Sequence, residues 1–173
     1  MNYGEKENRR VKSQIVEGLF ELMADYDYHT ITITQIIQTA NSYYRNFYNK
    51  EDIISYYLRN LLEQLPERTP VPNQDEELKK QFIDSLNLAK QEKTKFLCLH
   101  KNGLGHLVQA VMLEATSSVL PPITVDNPDI YRLYFINGAI YHLFMAWLER
   151  DLKESPEEVA DIALNYLKKG VLL

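Results

Sequence analysis

The chain has 173 residues and a formal net charge of −5, and 45% of its residues are hydrophobic. This length and composition suffice for one or two helical domains with a shared core. The single cysteine, Cys98, excludes an internal disulfide and fits a reducing cytoplasm. The sequence shows no charged-then-apolar leader and no apolar run of the roughly 18 residues that cross a bilayer, so we expect a cytoplasmic protein.

The first 64 residues contain three stretches with the apolar spacing of helices. Residues 9–25 form a long amphipathic stripe, and residues 33–40 form a shorter one behind Thr32, which can cap the helix. Asn49 precedes a third helix over residues 50–64 and resembles a capping box with Asp52. The predicted order is therefore long helix, short helix, aromatic link, long helix.

At these positions the chain resembles the amino-terminal domain of the tetracycline-repressor (TetR) family of transcription regulators. The similarity lies in RRVKSQIVEGLFELM, TITITQIIQTA and YYRNFYNKEDII, and it covers residues 9–62. It implies an all-α fold with a helix-turn-helix DNA-binding head over residues 1–64 and a helical body that binds an effector and forms a homodimer. It also implies a repressor that binds a palindromic operator in double-stranded DNA and is released by a small molecule.

The sequence departs from the family in the link that should contain the DNA-reading helix. Only Asn41 and Ser42 separate Ala40 from Tyr43, which is about four residues, or one helical turn, fewer than in the family. Either the protein has lost base reading, or a short stretch is missing from the sequence as read. A true deletion should run the second helix straight into the aromatic segment, so we favour the second explanation.

The resemblance supplies candidate DNA contacts in the head. They are Thr32, Thr34, Ser42, Tyr44, Arg45 and Lys50. Lys50 is the strongest, because a cation at a helix amino terminus opposes the helix dipole and a phosphate would relieve that cost. Thr32 and Tyr44 have simpler alternatives, capping and packing, and Tyr43 and Phe47 are expected in the core. Residues 1–50 hold six basic and six acidic groups, so DNA affinity should be modest unless two heads act together.

Three prolines predict a linker over residues 65–74, and the body then spans residues 75–173. We expect helices over residues 76–91, 94–100, 104–118 and 131–149, with a break at Asn102-Gly103 and a proline-rich loop over residues 120–128. The last helix should begin with Ser155 as N-cap and Pro156 at its first position.

The body carries a predicted dimer interface and a predicted effector pocket. The helix over residues 131–149 is apolar around much of its girth, which indicates burial on more than one side. By resemblance, the dimer interface of the last two helices includes Gly138, Ala139, Ile162 and Tyr166. The candidate pocket residues are Phe96, His100, His106, Met112, Tyr134, Tyr141, His142 and Trp147. Each of these residues could instead belong to the core or to the dimer interface.

No catalytic, nucleotide-binding or metal-binding motif is present in the sequence, so we expect no enzyme activity, no metal and no cofactor. The leading alternative function is a TetR-like co-regulator that has lost operator binding and acts through protein contacts. A third is a helical carrier of a small apolar molecule.

Overall fold

A computed structural model describes residues 3–42, 47–66, 74–117 and 129–169. These residues form α-helices and no β-strand, so the predicted all-α fold is confirmed. The helices are α1 (Tyr3–Asp25), α2 (Ile33–Thr39), α3 (Lys50–Leu62), α4 (Gln74–Gln91), α5 (Lys93–Lys101), α6 (Gly105–Ser117), α7 (Asp129–Glu149) and α8 (Pro156–Lys169). Each predicted helix is present, and the largest difference is that α1 begins at Tyr3 rather than at residue 9.

The chain divides into two compact units. The first contains Met1–Asn60 and Cys98–Val108, and the second contains Leu61–Leu97 and Gln109–Leu173. The first unit therefore combines the predicted head with the corner between α5 and α6. Most of the predicted linker and the predicted proline-rich loop lie outside the described residues. The predicted domain bounds stay a prediction.

Helix α1 packs directly against the backbone of α2. Ile15 and Leu19 of α1 are at most 1% exposed and mark its buried face. A Cβ atom added to Gly18, beside Leu19, would stand 3.0 Å from the Ala40 nitrogen and 3.1 Å from the Ile36 carbonyl oxygen. The close approach of the two helices therefore depends on the absence of a side chain at Gly18.

A Schellman motif ends α2. The Asn41 N–H donates to the Gln38 carbonyl at 3.0 Å, and the Ser42 N–H donates to the Ile37 carbonyl at 3.0 Å. Asn41 adopts the left-handed backbone conformation that this motif requires, with φ of 47°. The chain consequently turns away from the helix axis at Asn41.

The short link between α2 and α3 belongs to the protein itself. The sequence runs without a gap from Ala40 to Phe47, so the expectation that a stretch is missing there is wrong. That expectation assumed that α2 would run on into the aromatic segment, but the turn at Asn41 ends the helix first.

Helix α3 completes the core of the first unit. The Asn49 Oδ1 accepts the Asp52 N–H at 2.7 Å, which confirms the predicted cap. Ile53 is 1% exposed. Phe20 of α1 meets Tyr57 of α3 edge-on, with ring centroids 5.0 Å apart. Aromatic packing therefore joins α3 to α1.

The predicted break at Asn102-Gly103 is confirmed, and a second Schellman motif forms it. The Gly103 N–H donates to the His100 carbonyl at 3.0 Å, and the Leu104 N–H donates to the Leu99 carbonyl at 2.9 Å. Gly103 has φ of 73°, a conformation that costs glycine little. Helices α5 and α6 therefore meet in a tight corner.

In the second unit, α8 packs against α4 and α7. Lys79 of α4 and Asp161 of α8 form an ion pair at 2.5 Å. The Ser155 N–H donates to the Glu158 carboxylate at 2.8 Å, and the Glu158 N–H donates to Ser155 Oγ at 3.2 Å. This capping box confirms the predicted start of the last helix.

Candidate nucleic-acid interface

The start of α2 is an exposed part of the head. Thr32 and Thr34 are both exposed. Thr32 is the N-cap, because its Oγ1 accepts the Gln35 N–H at 3.2 Å and its own N–H donates to Gln35 Oε1 at 2.8 Å. The predicted cap is confirmed, and the predicted DNA contacts of the two threonines stay predictions.

The link that follows α2 is only partly described. Ser42 is half-buried just after the Schellman motif. Phe47 is 9% exposed and meets the Tyr56 ring edge-on at a centroid distance of 5.5 Å, so its predicted place in the core is confirmed. Three residues with predicted roles lie outside the described residues: Tyr43, Tyr44 and Arg45.

Lys50 begins α3, and its ammonium group binds the turn between α1 and α2. Its Nζ donates to the Tyr28 carbonyl at 2.5 Å and lies 4.3 Å from the centroid of the Tyr28 ring. A carbonyl oxygen and an aromatic face both stabilise a cation. The unfavourable helix dipole at Lys50 is therefore compensated within the protein.

Tyr28 joins three segments of the first unit. Its N–H donates to the Asn102 Oδ1 at 3.4 Å, and the Asn102 Nδ2 donates to the Cys98 carbonyl at 2.9 Å. The side chain is 2% exposed. Burial, and secondly the negative charge of Glu51, raise the pKa of Tyr28. Helical periodicity could not reveal this residue, because it lies in a turn.

Three basic side chains of the head contact other groups of the first unit. Arg10 pairs with Glu7 at 2.5 Å. The Lys12 Nζ lies 5.1 Å from the centroid of the Tyr56 ring, and Lys50 binds the turn before α2. Each of the three groups keeps its positive charge, but a DNA phosphate would have to compete with these contacts to bind it.

The predicted pocket residues do not share one environment. Phe96 and Tyr141 lie in the core of the second unit, with ring centroids 4.9 and 6.5 Å from that of Phe144. The buried Trp147 donates its indole N–H to the Glu154 carbonyl at 2.8 Å. The others are half-buried or exposed: Met112, Tyr134 and His142, and, in the first unit, His100 and His106. The effector pocket stays a prediction.

Exposed apolar side chains occur along α7 and α8. They are Tyr131, Tyr134 and Phe135 on α7, and Ile162, Tyr166 and Leu167 on α8. Of the predicted interface residues, Ile162 is 44% and Tyr166 is 56% exposed. Ala139 is also exposed, and a Cβ atom added to Gly138 would meet no atom within 4 Å. Exposed apolar groups of this kind are typical of surfaces that bind another protein.

Other chemical features of the described residues are few. Cys98 is a free, half-buried thiol, and burial raises its pKa. No group of three or more His, Cys, Asp or Glu side chains within the described ranges is placed to hold a metal ion. The same ranges contain no helix that is both long and apolar enough to span a membrane.

Comparisons with known proteins show a similarity of fold. No protein-family model and no curated protein matches the sequence significantly. The similar solved structures include the dihydroxyacetone kinase operon activator DhaS and the fatty acid degradation regulator FadR from Bacillus halodurans. Each is 16% identical, has a TM-score of 0.54, and aligns over 93% of this chain and 96% of its own. The chain therefore shares its helical fold with these two proteins.

Proposed function

We propose that this chain is a DNA-binding transcription regulator of the TetR type, acting as a repressor. The observation that carries the proposal is the head, in which α2 begins at a capped, exposed turn and packs closely on α1. The resemblance over residues 9–62 supports it. The two proteins of similar fold are described as an operon activator and a degradation regulator, which also fits.

The head would approach DNA with the start of α2. The exposed hydroxyl groups of Thr32 and Thr34 suit phosphate oxygens, and the resemblance adds Ser42, Tyr44 and Arg45. Phosphate contacts fix the position of a protein on DNA but carry no sequence information. Base reading would fall to the link between α2 and α3, which is about one turn shorter than the family's DNA-reading segment, so operator specificity should be limited.

We propose a homodimer formed by α7 and α8, because these helices expose aromatic and aliphatic groups. Phe135 is 64% exposed and Tyr166 is 56% exposed. Burying such side chains between two copies would remove apolar surface from water, and the small residues Gly138 and Ala139 would let helices approach closely. A twofold axis would then place two heads on the half-sites of a palindromic operator.

The proposed effector is a small apolar or aromatic molecule that binds in the second unit. The aromatic rings of Phe96, Tyr141 and Phe144 lie together in this unit and are the apolar groups that such a molecule would contact. The molecule would release DNA only if it binds more tightly to the conformation with low DNA affinity. No cofactor is part of the proposal.

The alternative is a co-regulator that binds a partner protein and no operator. Two observations favour it: the link between α2 and α3 is short, and Arg10, Lys12 and Lys50 already contact other groups of the head. Both would limit base reading and phosphate binding. DNA binding by the purified protein separates the two functions.

The test begins with selection of duplexes from a random library by the purified protein at low salt. Anisotropy titrations of a selected duplex should give a linear fall of log affinity with log salt, with a slope of about −0.9 per phosphate contact. Thr34→Val should weaken binding, whereas Thr94→Val, at another exposed helical threonine, should not. If no duplex is enriched and none binds at the lowest salt, the co-regulator function replaces the repressor.

A further inference from the structure

We propose that Lys50 and Asn102 are positioning residues, which set the DNA-facing helix α2 through Tyr28, and that Lys50 makes no phosphate contact. This role rests on the proposed DNA binding. It also assigns a function to Asn102, which lies at the corner between α5 and α6 and outside the three helices of the head.

The Tyr28 backbone is held at both ends. Its N–H donates to Asn102 at 3.4 Å, and its carbonyl accepts the Lys50 ammonium group at 2.5 Å. The same carbonyl accepts the Ile31 N–H at 3.3 Å, inside the turn that leads into α2. Thr32 caps α2 directly after this turn. A shift of Tyr28 would consequently move the first residues of α2.

The Tyr28 side chain leaves the turn little freedom to adjust. It is 2% exposed, and the Lys50 ammonium group lies 4.3 Å from its ring centroid. Tight packing of this kind resists small displacements. The turn is therefore fixed by the protein core on one side and by two polar groups on its backbone.

A phosphate contact by Lys50 would compete with these interactions. To reach a phosphate, the ammonium group would have to weaken a short hydrogen bond and leave an aromatic face. The side chain is also half-buried, unlike that of Lys6 or Arg9 in α1. The position of Lys50 thus suits a link between α3 and the turn better than a surface contact with DNA.

The first experiment compares thermal unfolding of charge-removing variants. Lys50→Met should lower Tm by roughly 3–8 °C, because a charged hydrogen bond and a cation–π contact are lost. Lys6→Met, which removes an exposed charge from the same unit, should change Tm little. Asn102→Ala should also lower Tm, and its effect should not be additive with that of Lys50→Met, because both act on Tyr28.

The second experiment measures DNA affinity against salt, at a temperature at which every variant is folded. Positioning predicts that Lys50→Met and Asn102→Ala each weaken binding several-fold at all salt concentrations, with an unchanged slope and non-additive losses. A phosphate contact instead predicts a slope that falls by about 0.9 per protomer for Lys50→Met alone. A lowered Tm with unchanged affinity would also overturn the proposal, since Lys50 would then be structural only.

Failure of the proposed function remains distinguishable. If the unaltered protein binds no DNA, the repressor function fails, and the coupling of Lys50 and Asn102 through Tyr28 is judged by the Tm comparison alone. Additive losses of Tm for Lys50→Met and Asn102→Ala would then refute this coupling. Non-additive losses of Tm would support the coupling through Tyr28 as a structural feature and overturn its role in DNA binding.

Discussion

Replacing Gly18 by alanine should destabilise the protein, although alanine is the better helix former. Alanine is favoured over glycine in the middle of a helix by about 1 kcal/mol. The added Cβ would stand 3.0 Å from the Ala40 nitrogen and 3.1 Å from the Ile36 oxygen, which are backbone atoms and yield only if α2 moves. Overpacking costs about 1–3 kcal/mol, so we expect a net loss of about 1 kcal/mol.

The assay is denaturant unfolding followed by far-ultraviolet circular dichroism. Ala110→Gly, at an exposed position of α6, is the matched control and should cost about 1 kcal/mol from helix propensity alone. Gly18→Val, with two further methyl groups, should lower the free energy of unfolding more than Gly18→Ala does. If Gly18→Ala instead raises the free energy of unfolding by as much as Ala110→Gly lowers it, the direct packing of α1 on α2 is refuted.

Three further predictions concern caps and the proposed dimer. Thr32→Ala should lower the free energy of unfolding by about 1 kcal/mol, because the Gln35 N–H loses its acceptor. Hydrogen bonds from Ser155 hold the pKa of Glu158 below its usual 4.5, so its carboxylate stabilises the fold above that pH and loses its effect as pH falls through the lowered pKa. The stability advantage of the unaltered protein over Glu158→Ala should therefore be larger at neutral pH than in acid, as measured by unfolding across pH. Phe135→Glu should convert dimers to monomers in sedimentation velocity, because it places a charge in the apolar face.

The outcomes that contradict these predictions are equally direct. An unchanged unfolding midpoint in Thr32→Ala would mean that the cap contributes nothing. A difference for Glu158→Ala that is the same at neutral and acidic pH would exclude the ionised carboxylate as its source. Tyr3→Glu, at a residue 86% exposed on α1, is the control for sedimentation and should stay dimeric. If Phe135→Glu is also dimeric, the interface lies elsewhere.

The helices could be predicted from the sequence because their signals are local. Thr32 and Ser155 indicate the starts of α2 and α8, because each side chain can accept the backbone N–H three residues later. Both caps are formed. The early start of α1 carries no such signal, since its first turns are polar and lack an apolar stripe. The pairing of Arg10 with Glu7, three residues apart, helps to extend the helix there.

The candidate site was less predictable, because its contacts join distant parts of the chain. Asn102 and Tyr28 are 74 residues apart, and a polar contact between a turn and a corner produces no periodic pattern. The cost of a cation at Lys50 was recognised from sequence, but the group that relieves it is the protein's own carbonyl. The end of α2 did have a signal, since asparagine is common at the left-handed position of a Schellman motif.

The charge balance of the head affects how quickly a DNA complex could form. Residues 1–50 hold six basic and six acidic groups, and Arg10 already pairs with Glu7. A head without net charge projects a weak long-range field, so electrostatic steering should accelerate its encounter with DNA very little. The lifetime of the bound complex, rather than the rate of search, would then determine how often an operator is occupied.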